Sequence, residues 1–357
     1  LWLSANRGFM EEMTVTSNLA RPLAPLLAVL AVAAAVLMTG CASSASTNED
    51  EPPSVDWRTL PVVPSIKGPL KERFLEDVAR SRKFGMRPNV FAKVGDSNTE
   101  MSFAIYGLGC RSAKFGGRKG LQGVIDRFSS VRLANDRPLA GCEQGNSFSR
   151  HSSATLGGTP STWSLLRVGD LPTGPIFTAP SDCLPDETPM SCEIRFTRPR
   201  YVLIMTGTND WGWDRYKKRK PGSRTEGYTD RLIRAVRRLG SVPVVSTLPP
   251  LITDNAGPKA ILPLNREIVA SARKNEVPVI NLWRALNRPS MTNSGMDDSG
   301  LHLRTVRGGT SPGVNPGSTT FQDSVDFRTG ALRAGANMRN LIWLKTLAAL
   351  DRAAGVD

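Results

Sequence analysis

Ser97 stands in Gly95-Asp96-Ser97-Asn98, directly after the apolar run from Phe91 to Val94, and the chain has only two histidines, His151 and His302. A serine becomes a nucleophile when an imidazole takes its proton, and the charge that develops on an attacked carbonyl needs donors aimed at it. Acyl transfer from an ester is the chemistry those parts make. His302 lies in Met296-Asp297-Asp298-Ser299-Gly300-Leu301-His302, with acids close by to orient the ring, whereas His151 has no acid close in sequence. His302 is therefore read as the base. Asn209, in Thr206-Gly207-Thr208-Asn209-Asp210, offers a side-chain amide as donor. Gly157, in Leu156-Gly157-Gly158-Thr159, offers a backbone N–H with no side chain in the way. Taken alone, Ser97 reads equally well as the N-cap of a helix that follows a strand.

Those residues need a frame that brings distant segments to one rim. The run before Ser97 predicts a strand, with a helix from Glu100 onward, so that Ser97 sits at the carboxyl end of a strand in an α/β sheet. Leu70 to Ala79 puts Leu70, Phe74, Leu75 and Val78 on one helical face. Residues 107–199 are irregular, with many glycines and prolines, a helical piece at Leu121 to Phe128, and long loops. Tyr201 to Met205 is a continuous apolar run, as a strand buried on both faces should be. A helix over Thr229 to Leu239, a strand over Val242 to Thr247, a helix over Pro258 to Lys274, a strand over Val277 to Asn281 and a closing helix over Met338 to Arg352 follow. Strands alternating with helices imply a mainly parallel sheet with helices on both faces, a three-layer α/β/α domain. No second core is visible.

The amino terminus reads as an export signal. Arg21-Pro22 precedes an apolar run from Leu23 to Met38 and then Thr39-Gly40-Cys41, shorter than the roughly 20 residues a bilayer span needs. Met38-Thr39-Gly40-Cys41 resembles a bacterial lipobox, which implies lipidation of Cys41 and a lipid-anchored protein of the cell envelope. Residues 1–40 are then the signal, with translation from Met13 an option, 41–66 a tether and 67–357 the folded domain. In an oxidising compartment the remaining Cys110, Cys142, Cys183 and Cys192 can pair. Cys183 with Cys192 is favoured because the short segment between them holds two prolines, which leaves Cys110 with Cys142. No CxxC spacing supports zinc, and no P-loop or dinucleotide fingerprint is present, so no metal or cofactor is expected. A net charge of +14 implies attraction to anionic surfaces, but no nucleic-acid-binding module accompanies it.

With these residues in place, the chain resembles the SGNH hydrolases, also called GDSL esterases and lipases. Gly95-Asp96-Ser97 resembles the first block, Gly157-Gly158-Thr159 the second, Gly207-Thr208-Asn209-Asp210 the third, and His302 the histidine of the fifth. The resemblance implies a flavodoxin-like fold, Ser97 as nucleophile, His302 as base, and the Ser97 amide, the Gly157 amide and the Asn209 side chain as oxyanion donors. Gly158 is the near alternative to Gly157. The family's usual aspartate three residues before the histidine is replaced by Ser299. Asp298 is the favoured orienting acid, Asp297 the less favoured, and a Ser–His dyad the remaining option. The resemblance implies an ester substrate, whether lipid, small ester or acylated glycan. An acyltransferase of the same fold, or a non-catalytic lipoprotein that binds an anionic polymer through Arg215 to Lys220, are the competing readings. Trp163, Trp211 and Trp213 could stack on a sugar, line an acyl pocket or belong to the core.

Overall fold

The computed structural model describes residues 56–171, 183–253, 259–307 and 320–356. The signal and lipobox residues lie outside them. In chain order the elements are α1 (Gly68–Lys83), β1 (Arg87–Gly95), a single turn α2 (Ser97–Glu100), α3 (Gln122–Ser129), α4 (Pro189–Thr197), β2 (Pro199–Met205), α5 (Thr208–Tyr216), α6 (Thr225–Arg238), β3 (Val242–Ser246), α7 (Leu262–Lys274), β4 (Val279–Ile280), α8 (Leu282–Leu286), α9 (Thr320–Asp323) and α10 (Gly335–Ala353). The four strands form one parallel sheet in the order β1-β2-β3-β4, with Phe91 opposite Tyr201, Tyr201 opposite Val242, and Val245 opposite Val279.

A short segment flanks the outer edge of β1. Gly95 N–H donates to Ala154 O at 3.1 Å and Leu156 N–H to Gly95 O at 3.2 Å, a parallel bridge between Gly95 and Thr155. The chain therefore leaves β1 to one side, touches the sheet at Thr155, and returns to β2 on the other side. That reversal is a topological switch point, and the crevice outside the strand ends at such a point is where open α/β sheets bind ligands.

Every residue of β2 is buried, as both faces of the sheet are covered. On one group of helices, α6 packs along α7 and against β3, and the α6 residue Arg237 donates to Asp77 of α1 at 2.8 Å. The other group has α10 packed against α3 and α8. The apolar core runs through both groups and the sheet. Cys110 is paired with Cys142 and Cys183 with Cys192.

Several expectations needed correction. The helix after Ser97 is one turn rather than a long element, because Met101 already has extended backbone and Ile105 is left-handed. Leu75 is 40% exposed; the buried stripe of α1 is Phe74, Asp77, Val78 and Ser81. The fold also begins before residue 67. Trp57 is buried edge-on against Trp283 at 5.1 Å, and its carbonyl accepts from the Asn281 side chain at 2.9 Å. The aromatic ring inside the presumed tether is what docks it.

Candidate active site

The turn after β1 is built by three side chains around Ser97. Gly95 has no room for a side chain: a Cβ there would lie 2.3 Å from Met205 O and 2.3 Å from Thr99 Oγ1. Its absence lets Thr99 Oγ1 donate to Met205 O at 2.9 Å, which ties the turn to the end of β2. Asp96 caps α2 by accepting from Asn98 N–H at 3.2 Å and also accepts from Thr208 N–H at 3.2 Å, so one carboxylate joins the turns after β1 and β2. Burial pushes the Asp96 carboxyl up to about 6 against those bonds. Asp96, Asn98 and Thr99 are buried while Ser97 between them is partly exposed. The turn thus presents the one hydroxyl of the group that solvent reaches.

His302 is delivered by a hairpin in which Met296 pairs with Leu303 and Asp297 N–H donates to His302 O at 2.8 Å. Gly300 turns it with φ of +68°, and a Cβ there would lie 2.4 Å from Ile252 O, so only glycine fits. Asn98 grips the hairpin on both sides of the histidine: its Nδ2 donates to Leu301 O at 3.1 Å and its Oδ1 accepts from Leu303 N–H at 3.0 Å. The result is a His302 Nε2 to Ser97 Oγ distance of 3.2 Å.

Behind the ring stands Asp297, not Asp298. Asp297 Oδ2 lies 3.8 Å from His302 Nδ1, an ion-pair distance longer than a hydrogen bond, and Asp297 is buried while Asp298 is exposed. The hairpin explains the correction. Its backbone pairing sets Asp297 across from His302, whereas Asp298 falls at the tip and points to solvent.

Asn209 and Gly157 come to the same rim by different routes. Gly207, with φ of +125°, opens α5, and the buried Asn209 side chain donates from Nδ2 to Thr159 O at 3.0 Å. A primary amide has a second N–H beyond that bond. Asp210 anchors the segment 155–161, a strap that carries Gly157 and Thr159: its carboxylate accepts from Ser161 N–H at 2.9 Å and from Ser161 Oγ at 2.5 Å. Burial pushes the Asp210 carboxyl up to about 7. Gly157 is beside the serine, since a Cβ on it would lie 3.4 Å from Ser97 Cβ. Its amide, however, is taken. Gly157 N–H donates to Glu100 Oε2 at 2.6 Å.

Glu100 is three residues after Ser97, on the same turn, and its other oxygen lies 3.3 Å from His151 Nε2. Both side chains are buried. His151, which lacks an acid close in sequence, therefore has one close in space, 51 residues away. The spacing of Glu100 from Ser97 could have flagged that both share one helical face. Nothing local in the sequence announces its pairing with His151. Of the aromatic candidates, Trp163 is buried with Val168 and Leu171, Trp213 is 8% exposed, and Trp211 lies under the Arg215 guanidinium at 4.7 Å.

Residues 186–305 match the family described as GDSL-like lipase/acylhydrolase. The matched stretch contains Asn209, Asp297 and His302; Ser97 and Gly157 precede it. Among solved structures, the lipase/acylhydrolase from Enterococcus faecalis is similar at 14% identity and a TM-score of 0.42, over 72% of this chain and 95% of that one. No curated protein matches the chain.

Proposed function

We propose that this chain, whose residues 186–305 match the GDSL-like lipase/acylhydrolase family, is a serine hydrolase of carboxylic esters with Ser97 as nucleophile. The observation that carries the reading is the 3.2 Å separation of Ser97 Oγ and His302 Nε2 at the switch point of the sheet. In the proposed cycle His302 takes the Ser97 proton as Oγ attacks the ester carbonyl, and Asp297 stabilises the imidazolium from the Nδ1 side. The Ser97 amide and the second N–H of Asn209 hold the oxyanion, joined by Gly157 once its amide is released. His302 returns the proton to the leaving alcohol, and water then attacks the acyl-enzyme with the same histidine as base. An O-acetyl group on a carbohydrate is the substrate class in view, at the cell envelope. The envelope reading rests on the sequence around Cys41, outside the described residues.

Hydrolysis of p-nitrophenyl acetate by the protein tests this. Turnover is expected in the wild type, with a loss of roughly 10⁴-fold or more in Ser97→Ala and in His302→Ala. Activity that survives Ser97→Ala would overturn the assignment.

A further inference from the structure

We infer that Glu100 is a latch on the Gly157 amide, and that binding of an ester carbonyl must displace its carboxylate towards His151 before that amide can serve the reaction. The inference rests on the serine hydrolase reading above. Three observations meet at one point. A Cβ built on Gly157 would lie 3.4 Å from Ser97 Cβ and 3.1 Å from Glu100 Oε2, so this glycine faces both side chains. Its N–H already has an acceptor, Glu100 Oε2 at 2.6 Å, so no donor is left over for an incoming oxygen. And that acceptor is an acid, which would repel an oxyanion forming beside it in a buried setting where charge is poorly screened.

A buried carboxylate released from one partner needs another. His151 is that partner. Its Nε2 already lies 3.3 Å from Glu100 Oε1, so a turn about the last side-chain bonds of Glu100 can take Oε2 off the Gly157 amide while Oε1 keeps its partner. The ring itself stays in place: the opening beside it, lined by Ser152, Thr155, Leu156, Trp163 and Arg137, is no larger than about one water molecule. Asn209 Nδ2 holds Thr159 O at the other end of the strap, which keeps Gly157 in place while Glu100 leaves. Glu100 and His151 are thus positioning residues, acting through the Gly157 amide.

The test measures phosphonylation of Ser97 in the full chain, in which charge develops on the P=O oxygen as it would on an ester carbonyl. Ser97 Oγ attacks the phosphorus of a fluorophosphonate probe, its proton passing to His302; the P–O bond forms as the P–F bond breaks and fluoride leaves to solvent, and the adduct is followed with time by mass spectrometry. Glu100→Gln keeps the shape and removes the charge; Glu100→Ala removes the latch; His151→Ala removes its receiver. The latch predicts labelling on the order of tenfold faster in Glu100→Ala, a smaller gain in Glu100→Gln, whose amide oxygen still accepts from Gly157 but carries no charge, and labelling slower by on the order of tenfold in His151→Ala. It further predicts that Glu100→Ala/His151→Ala labels like Glu100→Ala alone, because a receiver has no role without a latch. A mere structural brace gives another pattern: slower labelling in both Glu100 variants, or a His151→Ala defect of equal size with and without Glu100. Either result overturns the latch while the Ser97 adduct in wild type upholds the hydrolase reading. No adduct in wild type or in Glu100→Ala, both folded by circular dichroism, would overturn the hydrolase reading and the latch together.

Discussion

Asp297 Oδ1 accepts from Ser299 Oγ at 2.7 Å and from the N–H groups of Leu301 and His302, both at 3.3 Å. Burial by itself would raise its pKa; the bonds from His302 and Ser299 outweigh burial and pull it down to about 2. Ser299, three residues before His302, thus supports the acid two residues before it. Asp297→Asn should lower kcat on p-nitrophenyl acetate by about 10² to 10⁴-fold, since the imidazolium loses its counter-charge. Asp298→Asn, altering an exposed side chain, should stay within about twofold. A loss confined to Asp298→Asn would return the role to Asp298. Counting back from the histidine suggested Asp298, because spacing along the chain stands in for distance only while the backbone is regular. Here the hairpin pairs Asp297 with His302 across the turn, and that pairing depends on the Gly300 conformation and its contact with Ile252.

At the scale of elements, the candidate site depends on how firmly the turn after β1 holds the hairpin. Asn98 is the clamp: two hydrogen bonds to Leu301 and Leu303, and a backbone carbonyl that accepts from the fully buried Arg339 at 2.8 Å. Asn98→Ala removes the side-chain pair and leaves the reacting groups intact. It should reduce kcat on the order of tenfold to a hundredfold with KM little changed, because geometry rather than ester binding is lost. A KM effect alone would contradict the clamp. Strands β1, β2 and β3 were legible as apolar runs closed by glycine, threonine or proline. β4 was overread at five residues and is two, with Pro278 lacking the N–H that would extend its ladder. The least legible stretch lies between 107 and 198, and its order comes from distant contacts. Arg150 meets Glu193 in a buried ion pair, and Lys93 of β1 donates to the carbonyls of Phe148 and Arg150, both at 2.8 Å, with its Nζ 3.8 Å from the Tyr106 ring. No periodicity encodes such pairs.

For the whole molecule, the same buried groups set how stability should change with pH. Burial holds Asp96 at about 6 and Asp210 at about 7, above the ordinary carboxylate value near 4, so between pH 4 and 7 the native state binds more protons than the unfolded chain. Stability must fall as pH rises through that window. Asp297, pulled down to about 2, has the opposite sign, and stability must rise between pH 2 and 4. Lys93, lowered by burial to about 7, leaves the unfolded chain with the extra proton between pH 7 and 10.5, and stability should recover there. The expected profile has a maximum near pH 4, a valley near neutral pH, and a rise beyond it. Urea midpoints measured at pH 4, 5.5, 7 and 9 would trace it. Asp210→Asn gives the sharper test. Its side-chain oxygen still accepts from Ser161 N–H and its amide nitrogen donates to Ser161 Oγ, so the packing is kept while the titration is removed. The variant should therefore lose less stability than the wild type between pH 4 and 7 and unfold at higher urea at pH 8. A variant whose midpoint falls in parallel with the wild type across that window would mean that Asp210 is ionised throughout, and that burial at the end of β2 is offset by the Ser161 bonds.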